Sequence, residues 1–550
     1  MTLPQGLLTD PFLQLPTPTS VKVVWFTEFA GYKHMIDYGE NLTQTVFATT
    51  SKLTRTREDQ QSRVGKQTQD GEVYQYPVKR QIWRHEAEVN NLTAGNRISY
   101  RVTSVREDGE SFSSNVFSLA PNPIPGKPLK ILLTSDHQIK PMVAANLQKV
   151  VETIGQVDAV WFAGDLANIP DRASEWFDDN RGGAFFPCLQ GRAHYEMAYN
   201  DQKTIYTGGA IIQYAPIFTC IGNHEVMGRF AKEGSLNGEF NDTIPRTAAL
   251  NLYGEASLKE NSFNTDTYEE IFTLPQSMEG GKTYYAVSFG DVRLVVLYAT
   301  NMWRYISSDA GHKGKYSEPE AKLTNPENWG YGQHIYEPIA KGSKQYNWLV
   351  QELNSSEFKQ AKYKVVMLHH PPHTLGDNII PAYTDPVQII ERDEDDNIKA
   401  VRYEYPKQAD YIIRDVLPLL EAAGVQLVFF GHSHLWNRFC SSSGMHFIET
   451  SNVGNSYGAA YGDKQRKNLP PWHSQDYVAI GDPYGLEPVM PTIAPILDEK
   501  GQAMPYIASN DITVFSIFDT GTGTVSSYRF DTRKPDGEVI KFDEFKIVSG

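Results

Sequence analysis

Three cysteines in 550 residues, Cys188, Cys220 and Cys440, are too few and too scattered for a disulfide framework. None belongs to a Cys-x-x-Cys pair, which argues against a thiolate zinc site. No run of about 18 apolar residues exists, so no transmembrane helix is expected. Positive charge is in short supply: 51 Lys and Arg face 66 Asp and Glu, a formal net charge of −15. That balance argues against nucleic acid or an anionic membrane as the main partner. A small anionic substrate is still compatible with it, because bound metal ions dominate their local field. The amino terminus lacks a basic region followed by an apolar stretch. A cytoplasmic location is therefore expected, or an extracytoplasmic one for a processed chain. The sequons at Asn41, Asn91, Asn241 and Asn354 then read as chance matches.

What is present is an ordered set of five short motifs. They are Ser135-Asp136-His137-Gln138, Gly164-Asp165, Gly222-Asn223-His224-Glu225, His369-His370-Pro371 and Gly431-His432-Ser433-His434. Each follows a short apolar run such as Ile131-Leu132-Leu133 or Leu427-Val428-Phe429-Phe430. Such runs read as buried strands of an α/β sheet. Side chains at the carboxyl ends of such strands converge on one crevice. Carboxylates, an amide and imidazoles together suit one or two divalent or trivalent metals. His432 and His434 lie two apart, so an extended segment turns both the same way.

Residues 1 to 122 read as a separate all-β unit, with strands at Val21–Thr27, Tyr74–Val78 and Arg97–Thr103 and a hairpin signal at Asp108-Gly109. The piece Val89-Asn90-Asn91-Leu92-Thr93-Ala94-Gly95 and the strand after it resemble the closing turn and strand of a fibronectin type III module. Residues 123–128 are Pro-rich and mark a linker. No enzymatic constellation precedes Asp136. A spacer or docking role is expected, and a chain starting near Pro123 should keep its metals and most of its turnover.

From residue 129 to 550, strands alternate with helical stretches at Met142–Ile154, Gln345–Leu353 and Ala409–Ala423, which predicts an α/β domain. Hairpins are expected around the Gly290-Asp291 turn and the Thr520–Gly523 turn. Two long interruptions, near 168–215 and 453–508, are placed to wall an active site. The acidic stretch Glu391–Asp396 reads as a solvated hairpin or loop.

The order Gly-Asn-His-Glu, His-His-Pro, Gly-His-Ser-His resembles the calcineurin-like metallophosphoesterase superfamily. The preceding β unit brings the resemblance nearer to the purple acid phosphatase branch. It implies a four-layer α/β sandwich flanked by helices and a dinuclear metal centre of Fe, Mn or Zn. By the same resemblance Asp165 bridges both ions. Asp136 and His434 bind the first, while Asn223, His369 and His432 bind the second. His369 is chosen over His370 because the family's ligand sits two residues before the proline. Two positions depart from the pattern. Asn168 stands where purple acid phosphatases carry a metal-binding tyrosine, and Gln138 stands where the wider superfamily carries a histidine. Gln138 is expected to supply an amide oxygen to the first site, in preference to Asn168. Loss of the tyrosinate implies a colourless centre.

The resemblance makes His224 the candidate general acid and gives Glu225 an orienting role. Arg229, His312, His334 and His373 are further residues that could reach a substrate. The reaction implied is hydrolysis of a small phosphorylated substrate, first a phosphomonoester. A phosphodiesterase or nucleotidase, and a non-enzymatic scaffold with a relic metal site, are the alternatives.

Overall fold

The computed structural model describes residues 6–64, 74–306, 312–467 and 469–547. The amino-terminal region is all-β, as expected. One sheet orders Phe12–Gln14, Val21–Thr27, Trp83–Val89 and Thr49–Lys52; another is built on Ile98–Val105 and Lys33–Tyr38. At the expected strand near 74–78 only Val78–Lys79 is extended, paired with Arg57–Glu58. The segment preceding it, 65–73, lies outside the described residues.

The strand Val21–Thr27 shows how this region joins the rest. Val21, Val23 and Trp25 point one way, into the core between the two small sheets. Val24 and Phe26 point the other way, into the main core of the chain. There Phe26 meets Phe177 and Phe186, with ring centroids 5.1 and 5.4 Å apart. The backbone joins too, with Leu13 N–H donating to the Ile212 carbonyl at 3.0 Å. A strand apolar on both faces needs two neighbours, and here one of them is the second unit. The spacer expectation therefore gives way to a packed layer. The Pro-rich segment is also anchored, with Gly126 N–H donating to Asp291 Oδ1 at 2.7 Å.

The second region carries two larger sheets. Strands β1 (Lys130–Thr134), β2 (Ala159–Phe162) and β3 (Ile217–Thr219) run parallel in the first, and the hairpin Ile512–Asp519/Thr524–Asp531 completes it beside β1, with Ile540–Lys546 outermost. In the second, Val292–Val296, β4 (Tyr363–Met367), β5 (Leu427–Phe430) and His446–Thr450 run parallel. Period-2 alternation splits β4 and β5 cleanly. Val365, Met367, Leu427 and Phe429 enter the core shared with the first sheet, whereas Val366, Val428 and Phe430 face the outer helices. Those helices are Lys344–Leu353 and Leu417–Ala422, the latter preceded by a π turn over Ile412–Val416. Helix Val143–Ile154 covers the first sheet with Val143, Ala144, Leu147 and Val150 buried at helical spacing. Layers of helix, sheet, sheet and helix make the expected α/β sandwich.

Both expected hairpin turns are present. The acidic stretch forms the tip of the hairpin Val387–Arg392/Ile398–Glu404. The interruption 168–215 holds two five-residue helices and a hairpin, while 453–508 has little regular structure.

Candidate metal centre

The five motifs follow the carboxyl ends of β1 to β5, and the two sheets bring those ends together. Tight turns carry the ligands. Asp136, Asp165, His432 and His434 all have left-handed backbone, with φ of 58°, 60°, 81° and 56°. Asp and His tolerate that region better than most residues, and such strain gathers at functional sites. The glycines beside them leave the necessary room. A Cβ on Gly222 would lie 2.2 Å from Asp165 Oδ1, and one on Gly431 would lie 2.1 Å from Ser135 Oγ.

Two groups of donors result, and they share one carboxylate. Asp165, His369 and His432 form one; Asp136, Asp165 and His434 form the other. In the first group His369 Nε2 is 3.2 Å from Asn223 Oδ1, 3.2 Å from His432 Nδ1 and 3.3 Å from Asp165 Oδ2. In the second, His434 Nε2 is 3.4 Å from Asp136 Oδ1. His369 Nδ1 is 2.7 Å from the Ala163 carbonyl, and His434 Nδ1 is 2.8 Å from the Asn455 carbonyl. A carbonyl only accepts, so each Nδ1 carries a proton and Nε2 is the ring nitrogen left to face the site, where a cation would take its lone pair. Lone pairs from carboxylate, amide and imidazole that crowd one point match the chemistry of a bound cation. Burial opposes charge on His369, but Asp165 and Asp136 outweigh it and draw its pKa up to about 9. Asp136 and Asp165, despite full burial, are held below the usual carboxylate range by the imidazoles around them.

Gln138 lies at the shared carboxylate, its Nε2 donating to Asp165 Oδ2 at 2.7 Å. A half-turn of the amide would present Oε1 there instead. His137 points away, packed edge-on against Phe162 at 4.5 Å and 3.0 Å from Thr134 Oγ1. His370 is likewise outside both groups, against the Tyr383 ring at 4.6 Å. Asn168 has another job through its backbone: its carbonyl accepts from His224 Nδ1 at 2.6 Å. That contact leaves His224 Nε2 as the ring's other polar atom, in a cleft of 210 Å³ that the imidazole helps to line. The ring stacks on Phe240 at 4.9 Å, and its backbone N–H donates to Asp165 Oδ1 at 2.9 Å.

Glu225 orients backbone, accepting from the N–H groups of Asp165, Leu166 and Gly222 at 2.7–2.8 Å. The four outlying candidates serve elsewhere. Arg229 is paired with Asp242, His373 is 3.0 Å from Asp482, and His334 is buried beside Thr243. His312 lines a neighbouring hollow.

Several supporting residues had no motif to mark them. Glu449 is buried and accepts from Ser433 N–H at 2.7 Å, which holds the Gly-His-Ser-His turn. Lys140 is buried two residues past Gln138; burial lowers its pKa to about 8, while Asp136, Asp165 and Glu449 oppose the fall. Glu175 Oε2 accepts from the N–H groups of Asn168 and Ile169, each at 2.7 Å. Arg172 links Glu175 to Asp59 of the amino-terminal region.

No curated protein matches the chain. Among solved structures, purple acid phosphatase PPD1 from yellow lupin (Lupinus luteus) seeds is similar with a TM-score of 0.55 and 13% identity, covering 98% of this chain and 74% of that one. A structure of PhoD matches with a TM-score of 0.45 and 14% identity, over 99% and 93% of the two chains. At its identity the likeness to the lupin structure speaks for the fold alone. The model of the calcineurin-like phosphoesterase family matches residues 129–435. All five motifs lie in that span, on the strands that gather them around one shared carboxylate, and so the chain belongs to the calcineurin-like phosphoesterases, enzymes that hydrolyse phosphoesters.

Proposed function

We propose that the protein is a phosphomonoesterase with a dinuclear centre of Fe, Mn or Zn. The observation that carries this reading is the single carboxylate of Asp165 shared by two donor groups, with His224 beside it. Asp136, Asp165, His434 and Gln138 would hold one ion; Asp165, Asn223, His369 and His432 would hold the other. When bound, the ions supply Lewis-acid charge for the phosphoryl oxygens and lower the pKa of water. The chain's own part is orientation and proton delivery. The Ala163 and Asn455 carbonyls fix the tautomers of His369 and His434. Glu225 locks the turns that carry Asp165 and Asn223. With Nδ1 tied to the Asn168 carbonyl, the proton that His224 can give away is the one on Nε2, directed at the leaving oxygen. Phe240 restricts the ring to that pose.

The test is metal analysis coupled to a phosphoester panel. Two ions per chain and faster turnover of p-nitrophenyl phosphate than of its bis ester are expected. Preference for the bis ester would move the assignment to a phosphodiesterase.

A further inference from the structure

We infer that the leaving group of the substrate carries a flat, uncharged ring, and that Trp303 is its main contact. This rests on the phosphoesterase reading of the site. Tyr457 stacks on the candidate ligand His434 at 4.7 Å and 21°. Trp303 lies 6.0 Å beyond it at 30°, and Tyr305 meets Trp303 at 4.2 Å. The rings form a row that starts at the metal centre and runs outward, where Tyr457 is 43% and Tyr305 60% exposed. Trp303 between them is half-buried, and all three rings line the cleft beside His224. Among the described residues lining this cleft none is a lysine or arginine; amides such as Asn237, Asn241 and Asn378 stand there instead. The cleft continues past Trp303 into a hollow of 410 Å³ whose cations are engaged: Arg304 donates to the Thr243 and Gly332 carbonyls, and Lys313 pairs with Asp242. Among the described residues, a second phosphate or a carboxylate would find no unengaged lysine or arginine there. A nucleobase or another aryl group would stack.

Adenosine 5′-monophosphate and ribose 5-phosphate share one primary alcohol as leaving group and differ by the base. With metal-replete full-length protein, kcat/KM should favour the nucleotide by roughly 10–100-fold, the scale of one base–aromatic stack. Trp303→Ala should collapse that ratio and Trp303→Phe should keep most of it. Benzyl against methyl phosphate repeats the comparison for a simple aryl group, and a preference in that pair alone would identify the aryl source. Adenosine binding, read by calorimetry, reports the platform without turnover. Equal rates on both pairs, or a ratio unchanged in Trp303→Ala, would overturn the inference. No turnover of any ester would instead strike the phosphomonoesterase reading, while adenosine binding would still decide the platform.

A separate observation assigns a role to Asp59, and we propose it as a positioning residue for His224. Its buried carboxylate accepts from Arg172 Nη2 at 3.1 and 3.2 Å and from Leu236 N–H at 2.8 Å. Each contact leads to the imidazole. Arg172 donates to Glu175 at 2.8 Å, Glu175 fixes the Asn168 amide, and the Asn168 carbonyl holds His224 Nδ1. Leu236 opens the short helix Leu236–Phe240, whose last ring stacks on His224. One carboxylate of the amino-terminal region thus supports both sides of the candidate acid.

Asp59→Asn in the metal-replete chain should lower kcat on an alkyl phosphate by about 10–100-fold, the usual worth of a supporting group. KM and metal content should hold, and the loss should shrink on p-nitrophenyl phosphate, whose leaving group barely needs a proton. Arg172→Lys should repeat the pattern more mildly and serves if Asp59→Asn fails to fold. Equal losses on both esters, or no loss in a folded variant, would refute the role.

Discussion

Replacing His224 with alanine removes an imidazole without touching its backbone. The His224 N–H that donates to Asp165 Oδ1 at 2.9 Å survives the change, so the shared carboxylate keeps that support. Both metals should therefore remain. What is lost is the ring held between the Asn168 carbonyl and Phe240. A positioned acid is worth about 10²–10⁴ in kcat. At 1.36 kcal/mol per decade that is roughly 3–5 kcal/mol of barrier. The full loss is expected on alkyl phosphates and a small one on p-nitrophenyl phosphate. The lost stacking contact should cost stability only about 0.5–1.5 kcal/mol. Steady-state rates on esters of graded leaving-group pKa, beside metal analysis of the same preparation, make the measurement. His432→Ala is the contrast: it should lose metal and activity on every ester. If His224→Ala loses metal as readily, or slows good and poor leaving groups alike, the imidazole is a ligand or a phosphate-positioning group instead.

Gln138→Ala should weaken first-site metal affinity by roughly 10–100-fold, measured by competition with a chelator, and Asn168→Ala should do less; the opposite ranking would move the ligand to Asn168. On dialysis the ion at Asp136 and His434 should leave before the other, since its donor group holds one imidazole, His434, against two, His369 and His432, in the other; simultaneous loss would count against this. Iron-loaded protein should lack a tyrosinate absorption band, because Asn168 stands in the tyrosine's place; a purple preparation would contradict that. A chain truncated to start near Pro123 should be unstable and inactive, since it would expose the Phe177 and Phe186 faces that Phe26 covers and leave Arg172 without Asp59.

The motif strands and the candidate metal donors were legible because apolar runs and donor-rich motifs are local signals. β1 to β5 overlap the five runs, and the structure brings the candidate donors Asp136, Gln138, Asp165, Asn223, His369, His432 and His434 together. What holds them was not legible. Glu449, Glu175 and Asp59 are single acids among 66, and only the fold brings Asp59 to Arg172, 113 residues away. Trp303 and Tyr457 gave no periodic signal, and their pairing spans two separate loops. The union of the two cores had a trace in the sequence. Val21-Lys22-Val23-Val24-Trp25-Phe26 is apolar on both faces, which a free-standing two-sheet module with one wet face does not require.

The left-handed turns under Asp136, Asp165, His432 and His434 have a thermodynamic consequence. Such conformations in non-glycine residues cost of order 1–3 kcal/mol each and persist where surrounding contacts over-determine them. Metal that binds only the folded chain adds stability as RT ln(1 + [M]/Kd), about 2.7 kcal/mol at a hundredfold excess over Kd. At that excess each ion would offset about the cost of one such turn, so ion occupancy and global stability are tied in this chain. Plotted against the logarithm of free metal concentration, its melting temperature should steepen twice, once near the Kd of each donor group, which makes heat denaturation a readout of how the two sites fill.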